Sequence, residues 1–127
     1  MNWTWFLFSL EGRISVRQYW LYFLLPAIAT AFLVGALAGA FEAATDRSAS
    51  QRDWIAVLWS IAIIWPSIAT QVKRWHDRDK SGWWYLMNFV PVVGSIWVFV
   101  EAGFMSGTPG ENRFGPSPKR EAEEMKT

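Results

Sequence analysis

Residues Tyr19–Phe41, YWLYFLLPAIATAFLVGALAGAF, run for 23 positions without Asp, Glu, Lys, Arg or His. At about 1.5 Å rise per residue, a helix of that length reaches about 35 Å, enough to cross a hydrocarbon core of about 30 Å. Two further runs without these residues follow, Trp54–Val72 (19 residues) and Ser81–Val100 (20 residues). Together the three fill about half of the 127-residue chain. A water-soluble bundle needs a polar stripe on each helix, and the stretches Phe32–Phe41 and Trp54–Pro66 carry none. The pattern predicts an all-α integral membrane protein with three transmembrane helices over 19–41, 54–72 and 81–100.

Aromatic placement supports this. Tyr19, Trp20 and Tyr22 open the first run, Trp54 opens the second, and Trp83, Trp84 and Tyr85 open the third. Indole and phenol rings favour the headgroup level, where an apolar face and a polar hydrogen are both accommodated. Ten Trp in so short a chain fit that setting better than a soluble core. Trp3, Trp5, Phe6, Phe8 and Leu10 form an apolar stretch too short to span, read as an interfacial N-terminal segment.

Composition removes several function classes. With 12 basic and 11 acidic side chains the net charge is +1, which gives no general attraction for nucleic acid. The absence of Cys excludes a disulfide scaffold, a thiolate metal site and a Cys nucleophile. Ala38-Gly39-Ala40 looks like a small-residue cleavage site, but the apolar run before it exceeds a signal-peptide core, so a retained helix is expected. No ionisable residue lies at mid-membrane depth, which argues against a proton- or ion-coupled transporter.

Three full crossings divide the basic residues six to six across the membrane, leaving orientation to the Lys73–Lys80 group beside two membrane ends and so to a cytoplasmic N-terminus. The third run contains Pro91 and Gly94. A kinked full crossing is the expectation. A segment that dips in and returns would instead place ten basic residues on one face and two on the other.

In the first run, Ala27, Ala31, Gly35, Gly39 and Ala43 recur every four residues as one smooth stripe. Ala31, Gly35 and Gly39 are read as helix-packing positions, against the protein's own helices or against a second copy. Pro26 and Pro66 should bend their helices, and Ser60, Ser67 and Thr70 are candidates to satisfy the carbonyls freed near Pro66. Asn88, the one strongly polar group well inside the third run, should bond another helix.

Three polar stretches flank the apolar runs. They are Phe8–Trp20 (FSLEGRISVRQYW), Lys73–Trp84 (KRWHDRDKSGWW) and Gly107–Pro116 (GTPGENRFGP). In that order they resemble the bacterial inner-membrane family DUF805, the domain of unknown function 805. Its members read F-x-G-R-x-S-R-x-x-Y-W, R-R-x-H-D-x-G-R-S-G-W-W and G-T-x-G-x-N-R-F-G-x-D-P. The resemblance runs from about Phe8 to Pro118 and implies a small multi-spanning protein of the inner (plasma) membrane with no assigned activity. This chain departs from the pattern in having Val16 and then Arg17 at the second N-terminal Arg, Asp79 at the loop Gly and Ser117 at the C-terminal Asp.

The candidate site is a basic-aromatic face at the lipid headgroups, made of Arg13, Arg17, Lys73, Arg74, His76, Asp77, Arg78, Lys80, Trp83 and Trp84. Such a cluster attracts anionic lipid at about 1 kcal/mol per basic residue. Asp77 and Asp79 offset that attraction and are expected to pair with Arg74 or Arg13. Ser81 is a candidate cap for the third helix. One His and no Cys make a metal site improbable, and adjacent His76 and Asp77 do not face each other on a helix. No catalytic residue, metal or cofactor is therefore expected.

One domain covers 1–118, followed by a flexible charged tail over 119–127. The expected function is non-enzymatic, a membrane structural or interaction module. Its partners would be lipids, anionic headgroups among them, and a second copy or another membrane protein, with no nucleic acid. The alternatives are a small oligomeric channel or transport subunit built through Gly35 and Gly39, and, less favoured, a headgroup enzyme using His76.

Overall fold

The computed structural model describes residues 2–45 and 49–119. Helix α1 is short, Trp3–Phe8, and begins where the Asn2 side chain accepts from the Trp5 N–H at 3.1 Å. Helix α2, Val16–Thr45, starts at a reciprocal cap. Ser15 Oγ accepts from the Gln18 N–H and Gln18 Oε1 accepts from the Ser15 N–H, satisfying two donors that a helix start otherwise leaves orphaned. Within α2, residues Trp20–Leu24 open into one π turn, with Leu25 N–H donating to Trp20 O. Pro26 follows immediately. It has no N–H for the Tyr22 carbonyl and its ring crowds that carbonyl, so the wider turn relieves the mismatch.

Helix α3, Ala49–Asp77, contains Pro66. The nearby hydroxyls do not serve the carbonyl that this proline frees, four residues earlier at Ala62. Ser60 donates to Ala56 O, and Thr70 to Pro66 O and Ser67 O, so that expectation is corrected. The helix ends in a paired turn, Asp79 N–H to His76 O and Lys80 N–H to Trp75 O, with Asp79 left-handed at φ 58°. This is the position usually taken by Gly, and a short polar side chain tolerates it better than most.

The third charge-free run does not form one helix. Residues Gly82–Phe89 make a 3-10 helix, the chain reverses at Val90–Val92, and helix α4 runs over Val93–Phe104. The reversal is a γ-turn, in which Val93 N–H donates to Pro91 O at 2.7 Å and Val92 is forced to φ 60°. Gly94 permits it, because a Cβ there would lie 1.8 Å from the Met87 carbonyl oxygen. After the reversal α4 returns to where the run began, and Lys80 pairs with Glu101. The expected kinked crossing over 81–100 is thus corrected to a hairpin whose two ends meet. Its cause is the Pro91 break, placed so that neither half has the length of a span. Ser81 holds the cap position of the 3-10 helix without a side-chain cap bond.

Among the described residues the regular secondary structure is helical, apart from one isolated antiparallel bridge between Asn112 and Gly115. Two helical stretches, Val16–Thr45 and Trp54–Asp77, are long and apolar enough to cross a membrane, and α4 is a shorter apolar helix. The core lies at one end of the α2–α3 pair, where Phe6, Ile14, Tyr19, Phe23, Trp75, Val98 and Ala102 are buried together. Helix α1 is docked on α3, with Phe6 buried and with Trp3 and Phe8 left exposed. Away from this end the surface is apolar, with Phe32 77% and Trp54 70% exposed. A contiguous apolar surface of that kind is rare on a soluble monomer. Asn88 donates to Gln71 of α3, the inter-helix bond expected of it.

Residues 120–127, most of the expected tail, lie outside the described residues.

Candidate functional site

Chain reversal at Gly12, the last turns of α3 and the segment 105–117 meet at the core end and bring the three polar stretches together. Asp77 is the centre. Its Oδ1 accepts from Arg13 Nε at 3.1 Å and lies 2.9 Å from Arg13 Nη2, while its Oδ2 accepts from Arg74 Nη1 at 2.6 Å. The two guanidinium side chains are 1% and 0% exposed. The sequence expectation that Asp77 pairs with Arg13 or Arg74 is met by both at once.

The remaining donors of these arginines go to backbone carbonyls from distant parts of the chain. Arg13 reaches Thr108 O and Gly110 O, both at 2.7 Å, and Gly115 O at 3.1 Å. Arg74 reaches Ala102 O at 2.8 Å, Ile14 O at 2.9 Å and Met105 O at 2.7 Å. Lys73 is fully buried, and its ammonium donates to Trp5 O, Phe6 O and Ser9 O. It thereby closes the C-terminal end of α1, where helix carbonyls lack partners. Charge-assisted bonds to carbonyls are the way a buried cation is accommodated.

His76 is also held from both sides. Its Nδ1 lies 3.0 Å from Gly12 O, and its ring stacks on Phe114 at 3.8 Å between centroids and 3° between planes. Asn112 donates to His76 O and to Thr108 Oγ1. On the surface above, Arg113 pairs with Asp79.

Arg13, Lys73, Arg74, His76 and Asp77 are therefore interior residues, and the expectation that they form an open face towards headgroups is corrected. A linear sequence shows the charges but not the carbonyls folded around them. Arg17 is exposed, Arg78 and Lys80 are half-buried, Trp83 is 78% exposed, and Trp84 sits at the edge with Lys80 Nζ 4.4 Å above its ring. These outer residues do remain at the surface. Gly35 and Gly39 are exposed, with nothing within 4 Å of a Cβ at either, and Ala31 is half-buried. Packing of the Gly pair against the protein's own helices is thus corrected: α3 meets a different face of α2.

Sequence reading missed Glu101, Gly107 and Thr108 as contributors. Glu101 had a signal, since it is the first charge after twenty uncharged positions. Its Oε1 faces Lys80 and Arg78, and its Oε2 accepts from Trp97 Nε1 at 2.6 Å. Burial pushes this carboxyl up, but the bonds from Lys80 and Trp97 and the charges of Lys80 and Arg78 outweigh it and hold it below its ordinary value. A lowered carboxyl stabilises the fold above the ordinary value of 4.5 and loses that contribution as pH falls through the folded one. Glu101→Gln should therefore be less heat-stable than the parent protein in detergent at neutral pH. The gap between the two should close on acidification. A gap independent of pH would refute the ion-pair account.

Among the described residues, no group of three His, Cys, Asp or Glu side chains comes together. The arrangement is one in which charges fasten segments to each other.

A family model described as "Protein of unknown function (DUF805)" matches residues 7–116. The chain is 34% identical over 111 residues to Inner membrane protein YhaH of Escherichia coli (strain K12), covering 87% of this chain and 88% of that protein. It is 33% identical over 110 residues to Inner membrane protein YhaI of the same strain, covering 86% and 85%. Uncharacterized protein YiiR, also of that strain, is 29% identical over 133 residues, with coverage of 86% and 85%. No solved structure matches the chain.

Proposed function

The chain belongs to the DUF805 family, and on that premise we propose that it is a multi-pass inner-membrane structural and interaction module with no catalytic role. The observation that carries this reading is the engagement of Arg13, Lys73, Arg74 and Asp77 with the protein's own carbonyls and with each other. Groups held in this way fix a shape. His76, clamped between Gly12 O and Phe114, serves the same end.

In this reading α2 and α3 cross the bilayer, while the 3-10 helix and α4 enter and return on the side of the polar head. The turn at Val90–Val92 satisfies backbone groups internally, with Val90 N–H donating to Met87 O, Val93 N–H to Pro91 O, Gly94 N–H to Val90 O and Ile96 N–H to Val92 O, which lowers the cost of non-helical chain at membrane depth. Of the 12 basic residues, only Arg47 and Arg52 fall between the apolar stretches of α2 and α3. The excess on the other face supports a cytoplasmic location for this polar end. Headgroup contact falls to the outer residues Arg17, Arg78, Lys80, Arg113, Trp83 and Trp84.

Reporter fusions after residues 46, 79 and 127 test this arrangement. Positions 79 and 127 should both report cytoplasm and position 46 the periplasm. Opposite sides for 79 and 127 would establish a third crossing and overturn it.

A second reading is favoured by one observation, the open surface at Gly35 and Gly39. Small residues on an outward helix face let two backbones approach closely, so a homo-oligomer, and with it a channel or transport subunit, would assemble there. Gly35→Leu with Gly39→Leu should then reduce the particle to a monomer in mild detergent. An unchanged size would remove this reading.

A further inference from the structure

The cations of the polar head differ in how fully their donors are engaged. Lys73 has three carbonyl partners for its three protons, and Arg13 and Arg74 have partners at every nitrogen. Arg78 makes one hydrogen bond, from Nη1 to Ser106 O, and its Nε is buried without one. Glu101 Oε1 is the nearest carboxylate to that nitrogen, at 3.5 Å. Lys80 makes one hydrogen bond, to Glu101, beside its contact with the Trp84 ring. Both incompletely engaged cations line the same cavity.

That cavity is a groove of about 570 Å³ with a polar rim of Arg78, Lys80 and Glu101. Its floor is the face of α4 bearing Val93, Ile96 and Val100. From Glu101 back to Val93 is about 12 Å along the helix, most of one leaflet's hydrocarbon depth of about 15 Å. Both Glu101 oxygens are already occupied, by Lys80 and by Trp97. The rim thus presents two cations against one carboxylate and an apolar channel leading away from them.

We infer that this groove is a discrete binding site for one anionic phospholipid, its phosphate at Arg78 and Lys80 and an acyl chain along α4. The phosphate oxygens accept from Arg78 Nη2, which makes no hydrogen bond among the described residues, and from Lys80. A guanidinium suits this partner because its planar donors match phosphate geometry. The inference rests on α4 lying in the lipid, as proposed above, and narrows the headgroup contact from a general surface to one site.

Native mass spectrometry of the full chain tests it, with phosphatidylglycerol, phosphatidylcholine and inorganic phosphate as separate probes. One phosphatidylglycerol should stay bound, and Arg78→Gln with Lys80→Gln should weaken it about tenfold or more. Ile96→Trp, which fills the groove and leaves the rim charges intact, should also expel it. Lys119→Gln, an exposed cation away from the groove, should leave binding unchanged. Equal retention of phosphatidylcholine, displacement by inorganic phosphate, or equal loss in the Lys119 variant would each overturn the site. Fusions placing residues 79 and 127 on one side while no lipid binds would sink this inference and leave the membrane arrangement standing.

Discussion

Asp77→Ala should abolish recovery of folded protein in mild detergent. One carboxylate there neutralises two guanidinium groups that are almost wholly withdrawn from solvent. Breaking a buried pair by removing one partner costs about 3–5 kcal/mol, a large share of the roughly 5–15 kcal/mol by which a domain is typically stable. Here the change strands two cations side by side with no counter-ion, so repulsion adds to desolvation. Size-exclusion chromatography after stepwise heating reads the outcome. Asp79→Asn is the matched control, because the Asp79–Arg113 pair is 40% and 62% exposed, and pairs of that kind contribute about 0–1 kcal/mol. Similar losses from both substitutions would mean that Asp77 is not the centre of the head.

Gly107→Ala is expected to release the segment that follows it. A Cβ at Gly107 would lie 2.1 Å from Asp77 Oδ2 and 2.5 Å from the Asp77 carbonyl oxygen. Neither atom can retreat, since the first is fixed by Arg74 and the second receives the Thr108 N–H at 2.8 Å. The loop must move instead, and with it the Thr108 and Gly110 carbonyls that Arg13 binds. Overpacking alone costs about 1–3 kcal/mol, and the detached arginine contacts add to it. Trypsin should then cleave after Arg113 at least about tenfold faster in detergent micelles, given that about 1.4 kcal/mol is a factor of ten. Unchanged cleavage would show that the segment does not depend on this close approach.

The long helices could be read from the chain because solvent preference is a property of composition. The runs before Glu42 and before Lys73 have no charges, and both are helical. Pro91 and Gly94 also marked the place where the third run breaks. What the run could not disclose is its direction afterwards. Twenty apolar residues satisfy a crossing and a hairpin equally, and the choice rests on Glu101 meeting Lys80 and on Arg74 meeting Ala102 O. Asp79 in place of the family's Gly was legible as a turn position, and its φ of 58° agrees. The polar head was legible as three stretches but not as an interior. Arg13, Lys73 and Arg74 look like membrane-surface cations until the carbonyls of residues 5–14 and 102–115 are folded round them. Those acceptors are main-chain atoms, which every residue carries and no sequence pattern reveals.

The reach of Arg13 bears on how the protein is made. Its carbonyl partners at Thr108 and Gly115 are 95 and 102 positions further along. A ribosome adding about 5–20 residues per second needs at least about 5 s to synthesise them after Arg13. During that interval, in the membrane arrangement proposed above, α2 and α3 enter the bilayer as a pair while Arg13 still lacks its final acceptors. Closure of the head is consequently a late event in biogenesis, and a nascent chain halted before Gly107 would be inserted but unlatched.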